Sequence, residues 1–250
     1  MLVPAHFLQQ FHEQGYCVLE RVIPESDLAD LCAECQRQLD MQVESMERVA
    51  ADTLGLSQKE KRYFLPPRCE DSSTLARFLS SDFFTDLVRT FVGDEAYPFP
   101  ELFVVKWPRT GTAFAWHQDA GFLMGIPHRP FASFWCALDD MTESNGALSV
   151  LPYSRVGSRE VVPHVKDKQT GDMVCYRDGD PGIVLTVPRG SVVVLSSTIF
   201  HCSGTNSTAA PRRVFLASLA PEPIVDGKGN TWNRAEPFLA AGRVVTPAIA

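Results

Sequence analysis

Glu101-Leu-Phe-Val-Val-Lys-Trp-Pro-Arg-Thr-Gly-Thr-Ala-Phe-Ala-Trp-His-Gln-Asp119 is where the chain changes texture. From Glu101 onward, short β-branched and aromatic runs alternate with clusters of Gly, Pro, Asn and Asp. The runs fall at residues 102–107, 114–119, 131–138, 147–151, 183–187, 192–195, 199–204 and 213–219. Eight short strands with turn residues between them, and no helical period, predict a double-sheet jelly roll or a related barrel. One stretch breaks the rhythm. Residues 153–182 are rich in Gly, Asp, Lys and Arg, with weak strand signals at Val161-Val162 and Met173–Tyr176. A loop of that length inside a compact domain is usually functional, so 153–182 is the candidate lid.

Upstream the period is helical. Phe7, Leu8 and Phe11, and later Leu28, Leu31 and Leu39, recur at helix spacing. Gly15 stops the first helix and Pro24-Glu-Ser-Asp27 starts the second. Residues 16–22 read as a short strand between them. A polar stretch at 56–62 leads to a helix-like segment over Leu75–Val92. The expectation is an α+β chain of a single domain, 1–250. Residues 1–100 form a mainly helical opening packed outside a double-stranded β-helix core at 101–220, and 221–250 form a C-terminal extension with a loosely held tail from Ala240.

Composition narrows the partners. The 250 residues are 45% hydrophobic and 21% charged, with 16 Gly and 18 Pro, which excludes disordered, collagenous and coiled-coil classes. With 23 Lys+Arg against 30 Asp+Glu, the net charge of -7 and the dispersed basic residues argue against a nucleic-acid partner. No apolar run approaches the ~18 to 20 residues of a membrane span. The opening Met1-Leu-Val-Pro-Ala-His-Phe7 lacks a secretory leader pattern, so a cytoplasmic protein is expected. Seven scattered cysteines read as reduced thiols. Cys32-Ala-Glu-Cys35 lies in a helical pattern with no second pair at zinc spacing, so zinc is not expected.

Chemistry concentrates at Trp116-His-Gln-Asp119. In a strand, His117 and Asp119 share a face and Gln118 points the other way. A hydrogen-bonded His-x-Asp pair is the plain alternative. His201, near the end of the seventh expected strand, adds a second imidazole if the second and seventh strands are neighbours. Two His and one carboxylate with open positions make the facial triad of non-haem Fe(II) oxygenases. His6, His12, His128 and His164 lack such a pattern and read as surface or structural residues. Arg212 and Arg213 open the last strand, and alternation turns one of them inward, where it needs an anion or a salt bridge. With a triad nearby, the distal carboxylate of 2-oxoglutarate is a natural partner. Phe114, Phe122, Phe131 and Phe134 flank these motifs as candidate pocket walls.

The sequence resembles the phytanoyl-CoA dioxygenase family of Fe(II) and 2-oxoglutarate-dependent oxygenases. The resemblance runs from Phe7-Leu-Gln-Gln-Phe-His-Glu-Gln-Gly-Tyr-Cys-Val-Leu19 through Trp116-His-Gln-Asp119, Asn145-Gly-Ala-Leu-Ser-Val-Leu-Pro-Tyr-Ser-Arg155 and His201-Cys-Ser-Gly-Thr-Asn-Ser207 to Arg212. It implies iron ligands at His117, Asp119 and His201, and the 2-oxoglutarate arginine at Arg212. It further implies cosubstrate contacts from Trp135 and Ser203, with Lys106 where several members carry a basic residue. The carboxylate at Asp119 argues against halogenation. The implied cofactors are Fe(II), 2-oxoglutarate and dioxygen. Succinate and CO2 are released as a small organic substrate, free or linked to a thioester or carrier, is oxidised, foremost by hydroxylation. The alternatives are a cupin-like metal enzyme that does not use 2-oxoglutarate, with a structural Arg212, and a non-catalytic ligand-binding member of the fold.

Overall fold

The computed structural model describes residues 3–66, 72–168, 170–175, 179–232 and 235–245, apart from the side chain of Pro100. Helix α1 (Ala5–Gln14) ends at Gly15, whose left-handed turn (φ 84°) returns its N–H to the Phe11 carbonyl. The turn delivers β1 (Tyr16–Leu19), as expected. Helix α2 (Glu25–Arg48) follows Pro24, with Glu25 and Asp27 in its first turn complementing the helix dipole. The segment expected as one helix over 75–92 is two, α3 (Ser73–Leu79) and α4 (Asp82–Phe91). Ser72 and Ser81 cap their starts by accepting from the Leu75 and Phe84 N–H groups.

The opening is less purely helical than its periodicity suggests. β2 (Thr53–Leu54), β3 (Ser57–Gln58) and β4 (Arg62–Leu65) occupy the polar stretch, and β5 runs Tyr97–Lys106. Then come β6 (Phe114–His117), β7 (Ala132–Ala137), β8 (Leu148–Leu151), α5 (Tyr153–Val156), β9 (Val165–Lys166), β10 (Met173–Val174), β11 (Ile183–Leu185), β12 (Val192–Ser196), β13 (Phe200–Ser203) and β14 (Arg212–Ala220). The large sheet has the order β1-β12-β7-β14-β5-β4-β3-β2 and a smaller one the order β11-β8-β13-β6. The opening therefore supplies strands to both edges of the large sheet, a pairing that local polarity does not encode.

Burial follows the period of two. On β7, Phe134 and Cys136 join Leu28, Leu31, Phe84 and Phe215 in the core between the large sheet and α1–α4, while Trp135 and Ala137 join Leu148, Val150, Val193 and Val214 in a second core. The helices thus cover one face of the large sheet, and the opposite face is left for the site. Cys32 and Cys35 sit within α2, and none of the six cysteines among the described residues is in a disulfide; Cys69 lies outside them. Burial pushes the Cys17 and Cys35 thiols up to about 12, and Cys136 up as well. No helix among the described residues is long and apolar enough to cross a membrane.

Phe134 is fully buried, edge-on to Phe84 and Phe91. Phe134→Ala is expected to lower unfolding stability by ~3 to 5 kcal/mol, read from urea denaturation, because the rings around it cannot close the cavity.

Candidate active site

His117 is the last residue of β6 and His201 the second of β13. The strands pair antiparallel with these two residues as direct partners, their ring centroids 4.2 Å apart. Asp119 is not on the strand, contrary to expectation: β6 ends at His117, Gln118 is extended, and Asp119 opens a 3-10 turn, Asp119–Leu123. The turn still brings its carboxylate round, with Oδ1 3.9 Å from His117 Nε2 and 3.5 Å from His201 Nε2. The potential ligand atoms of the three lie within 4.8 Å of one another, the only such His/Cys/Asp/Glu cluster among the described residues.

The hydrogen bonds around the cluster leave one donor atom of each residue free. Nδ1 of His117 bonds the Ala115 carbonyl (2.7 Å) and Nδ1 of His201 the Ile199 carbonyl (3.2 Å), which assigns the proton to Nδ1 and the lone pair to Nε2. The Ser133 hydroxyl donates to Asp119 Oδ2 (2.8 Å) and itself pairs with Ser218. Burial first, and then the neighbouring His201, press His117 down to about 4. Two imidazoles turned by their Nδ1 contacts to present Nε2, and one oriented carboxylate oxygen, form a donor set suited to Fe(II).

Gln118, pointing away from the cluster as alternation requires, is the residue that ties the candidate lid down. Its side-chain amide donates to the Glu160 (2.9 Å) and Thr198 (2.6 Å) carbonyls, and its oxygen accepts from the Val162 N–H (2.9 Å). Its backbone N–H donates to His164 Nε2 (3.0 Å), whose Nδ1 bonds the Val162 carbonyl. A Cβ on Gly121 would lie 2.2 Å from the His164 ring, so only glycine lets the turn approach so closely. His164 is structural, as expected, but at the site's back wall. Segment 153–182 contains α5 and the β9–β10 pair rather than bare loop; Tyr176 lies outside the described residues.

Deeper in, Arg62 on β4, Lys106 on β5 and Arg212 on β14 are register partners across three neighbouring strands, each 1% exposed or less. Arg62 is held by Asp172 (2.7 and 2.9 Å) and the Thr170 carbonyl, and its guanidinium lies over Phe114. Lys106 donates to the Gly204 carbonyl. Arg212 donates to the Gly146 carbonyl (3.1 Å) and lies 5.7 Å from the Trp135 ring, its buried Nε without a partner. Burial lowers it to about 9. Gly146 (φ 81°) lets these strand ends meet, since a Cβ there would lie 2.4 Å from the Gly204 oxygen. Arg213 faces the other way, in a salt bridge with Asp139 (2.6 Å). Trp135 is buried between the sheets, and Ser203 shares the face of His201.

Of the four flanking phenylalanines, only two stand at the site. Phe122 lies edge-on to His117 (6.1 Å, 84°), and Phe114 lies beside Arg62 and Lys106. Phe134 belongs to the helix-side core, and Phe131 to a small cluster with Leu123 and Ile224. Sequence reasoning missed Arg62. Its one signal is a cation heading the apolar run Tyr63-Phe-Leu65, which a polar neighbourhood conceals.

The fold and site together define a non-haem iron and 2-oxoglutarate-dependent oxygenase. The family model for phytanoyl-CoA dioxygenase (PhyH) matches residues 11–214, and the chain belongs to that family. It is 24% identical to a probable alpha-ketoglutarate-dependent hypophosphite dioxygenase of Stutzerimonas stutzeri, covering 94% of this chain and 85% of the relative. It is 21% identical to the peroxisomal phytanoyl-CoA dioxygenase of Homo sapiens, covering 90% and 71%. Among solved structures it is similar to the epimerase SnoN in complex with Fe3+, alpha ketoglutarate and nogalamycin RO, with a TM-score of 0.68 at 17% identity over 97% of this chain and 95% of that one.

Gln118→Ala removes three side-chain hydrogen bonds at a fully buried position. Each stranded partner costs ~1 to 3 kcal/mol, so the segment is expected to come loose from the turn. The Val162 amide should then exchange at least about tenfold faster by mass spectrometry or NMR.

Proposed function

We propose that the protein oxidises a small organic molecule, most simply by hydroxylation, with iron held by His117, Asp119 and His201 and 2-oxoglutarate lying between the metal and Arg212. The observation that carries this reading is a pair: three ligand atoms within 4.8 Å, and on the neighbouring sheet a fully buried Arg212 with an orphaned Nε and no acid salt-bridge partner among the described residues. A buried guanidinium calls for a planar anion, and a carboxylate fits its fork. Trp135, whose ring lies 5.7 Å from the Arg212 guanidinium, and Ser203, two residues on from His201, are the further cosubstrate contacts of this reading, and Lys106 stands beside Arg212. The two sheets support the double-stranded β-helix assignment, with 1–250 as one domain and 153–182 as the segment that shapes the entrance. The six described cysteines, none of them in a disulfide, support a reducing, cytoplasmic setting.

When bound, the iron and its cosubstrate supply the oxidant for a substrate C–H bond, releasing succinate and CO2. The chain's own part is positional. Ser133 fixes the Asp119 carboxylate so that Oδ1 faces the cluster, and the Ala115 and Ile199 carbonyls fix the two rings. Gln118 and His164 close the back wall against water. Phe122, 52% exposed and edge-on to His117, offers an apolar surface to the substrate. Relatives include enzymes named for hypophosphite and for phytanoyl-CoA, so the substrate class follows the entrance residues rather than the triad.

Iron-dependent succinate release from 2-oxoglutarate tests the reading. His117→Ala or Asp119→Ala is expected to abolish iron binding and turnover while circular dichroism and urea stability persist; wild-type turnover of either at saturating Fe(II) would refute the triad. Arg212→Ala is expected to weaken 2-oxoglutarate by ~2 to 5 kcal/mol, whereas Arg213→Ala, losing only its Asp139 bridge, leaves that affinity near wild type. An equal loss from both would overturn the assignment.

A further inference from the structure

Lys106 is in an unusual electrostatic position. It is fully buried on β5, with Arg62 and Arg212 as its register partners on either side. Facing residues on neighbouring strands lie ~4.5 to 5.5 Å apart at Cβ, so three basic side chains are set in one row. Four groups act on the amine. Arg62 on β4 and Arg212 on β14 oppose its charge; Asp172, beyond β9, and the Cys202 thiol on β13 favour it. Asp172 is already spent on Arg62 through two hydrogen bonds. What remains for Nζ is the Gly204 carbonyl and the face of Phe114, 4.8 Å from the ring centroid.

A third positive charge in this dry row has no counter-ion, and the cheapest arrangement is a neutral amine. A carboxylate docked on Arg212 reverses the balance, because it lies beside Lys106 as well. We propose that 2-oxoglutarate binds together with one proton, which Lys106 takes from solvent. The inference rests on the reading of Arg212 as the carboxylate anchor. Lys106 enters the bound state as an ammonium, donating to the ligand while Gly204 retains its contact, and the clamp gains its third positive charge only when an anion is there to hold.

The ligand-free amine fits this geometry, since burial first and the Arg212 charge second press it down to about 5. An adjacent carboxylate raises such a group by ~1 to 3 units. The sign follows: a ligand that brings a proton with it binds less tightly as pH rises between the free and bound values. With a rise of about two to three units, affinity for 2-oxoglutarate falls about five- to tenfold from pH 6 to pH 7.

The test is anaerobic calorimetry of the Fe(II)-loaded protein titrated with 2-oxoglutarate at pH 6.5, in two buffers of different ionisation enthalpy. The expected result is uptake of more than about half a proton per ligand. In Lys106→Met that uptake is lost and the pH dependence flattens. In Lys106→Arg, which is charged beforehand, binding proceeds without uptake, and this variant serves if the neutral one does not fold. Binding without uptake in the wild type, or uptake undiminished in both variants, overturns the inference while leaving Arg212 as the anchor. No binding heat and no succinate at all overturns the anchor itself, and the proton inference with it.

Discussion

Residues directly opposite one another in an antiparallel pair stand about 4.5 to 5.5 Å apart at Cα, and the β6–β13 register spends that proximity on two imidazoles, His117 and His201. A slip of one residue would send one ring to the far side of the sheet. The register is held from both sides: β13 also pairs with β8 over four residues, Phe200–Ser203, and the 3-10 turn after His117 is fixed by Gln118 and by the Ala120 N–H bond to the Ser197 carbonyl. Placement of Asp119 depends on that turn. The cluster of His117, Asp119 and His201 is therefore a property of strand pairing and turn geometry more than of the three side chains' own packing.

The second constraint is electrostatic. Three basic side chains at 1% exposure or less, with one carboxylate among them, would be costly as a permanent arrangement. The fold reduces the cost by giving Asp172 to Arg62, backbone carbonyls to Lys106 and Arg212, and aromatic faces to all three. What is left over is a site that favours an anion. Arg213, one residue along, shows the contrast: its charge is fully answered by Asp139 and it has no part in that demand.

Much of this was legible in the chain. The eight strands, the end of α1 at Gly15 and the inward turn of one of two adjacent arginines follow from periods of two and 3.6 and from glycine, which are local signals. The His-x-Asp motif and His201 carried the site because their residue types are scarce and chemically specific. What was not legible depends on pairing between distant segments. The polar run at 56–62 gives no hint that β4 extends the large sheet, so Arg62 stayed hidden. Gln118 looked like the spacer of a motif, and only the fold reveals the strap it holds. Asp119 was assigned to a strand because sequence cannot separate an extended dipeptide from the first residue of a turn. Phe134 looked like a pocket wall because proximity in sequence to a motif says nothing about which face of a strand a ring occupies.

Cys17, Cys35 and Cys136 line one core from three elements: edge strand β1, helix α2 and β7 inside the large sheet. Because burial keeps these thiols protonated, they are poor nucleophiles as long as the core stays closed. Each becomes reactive only when its own element leaves that core, so the native sequence already contains three chemical clocks. An alkylating reagent would read, without any engineered label, the order in which edge strand, helix and central strand come away.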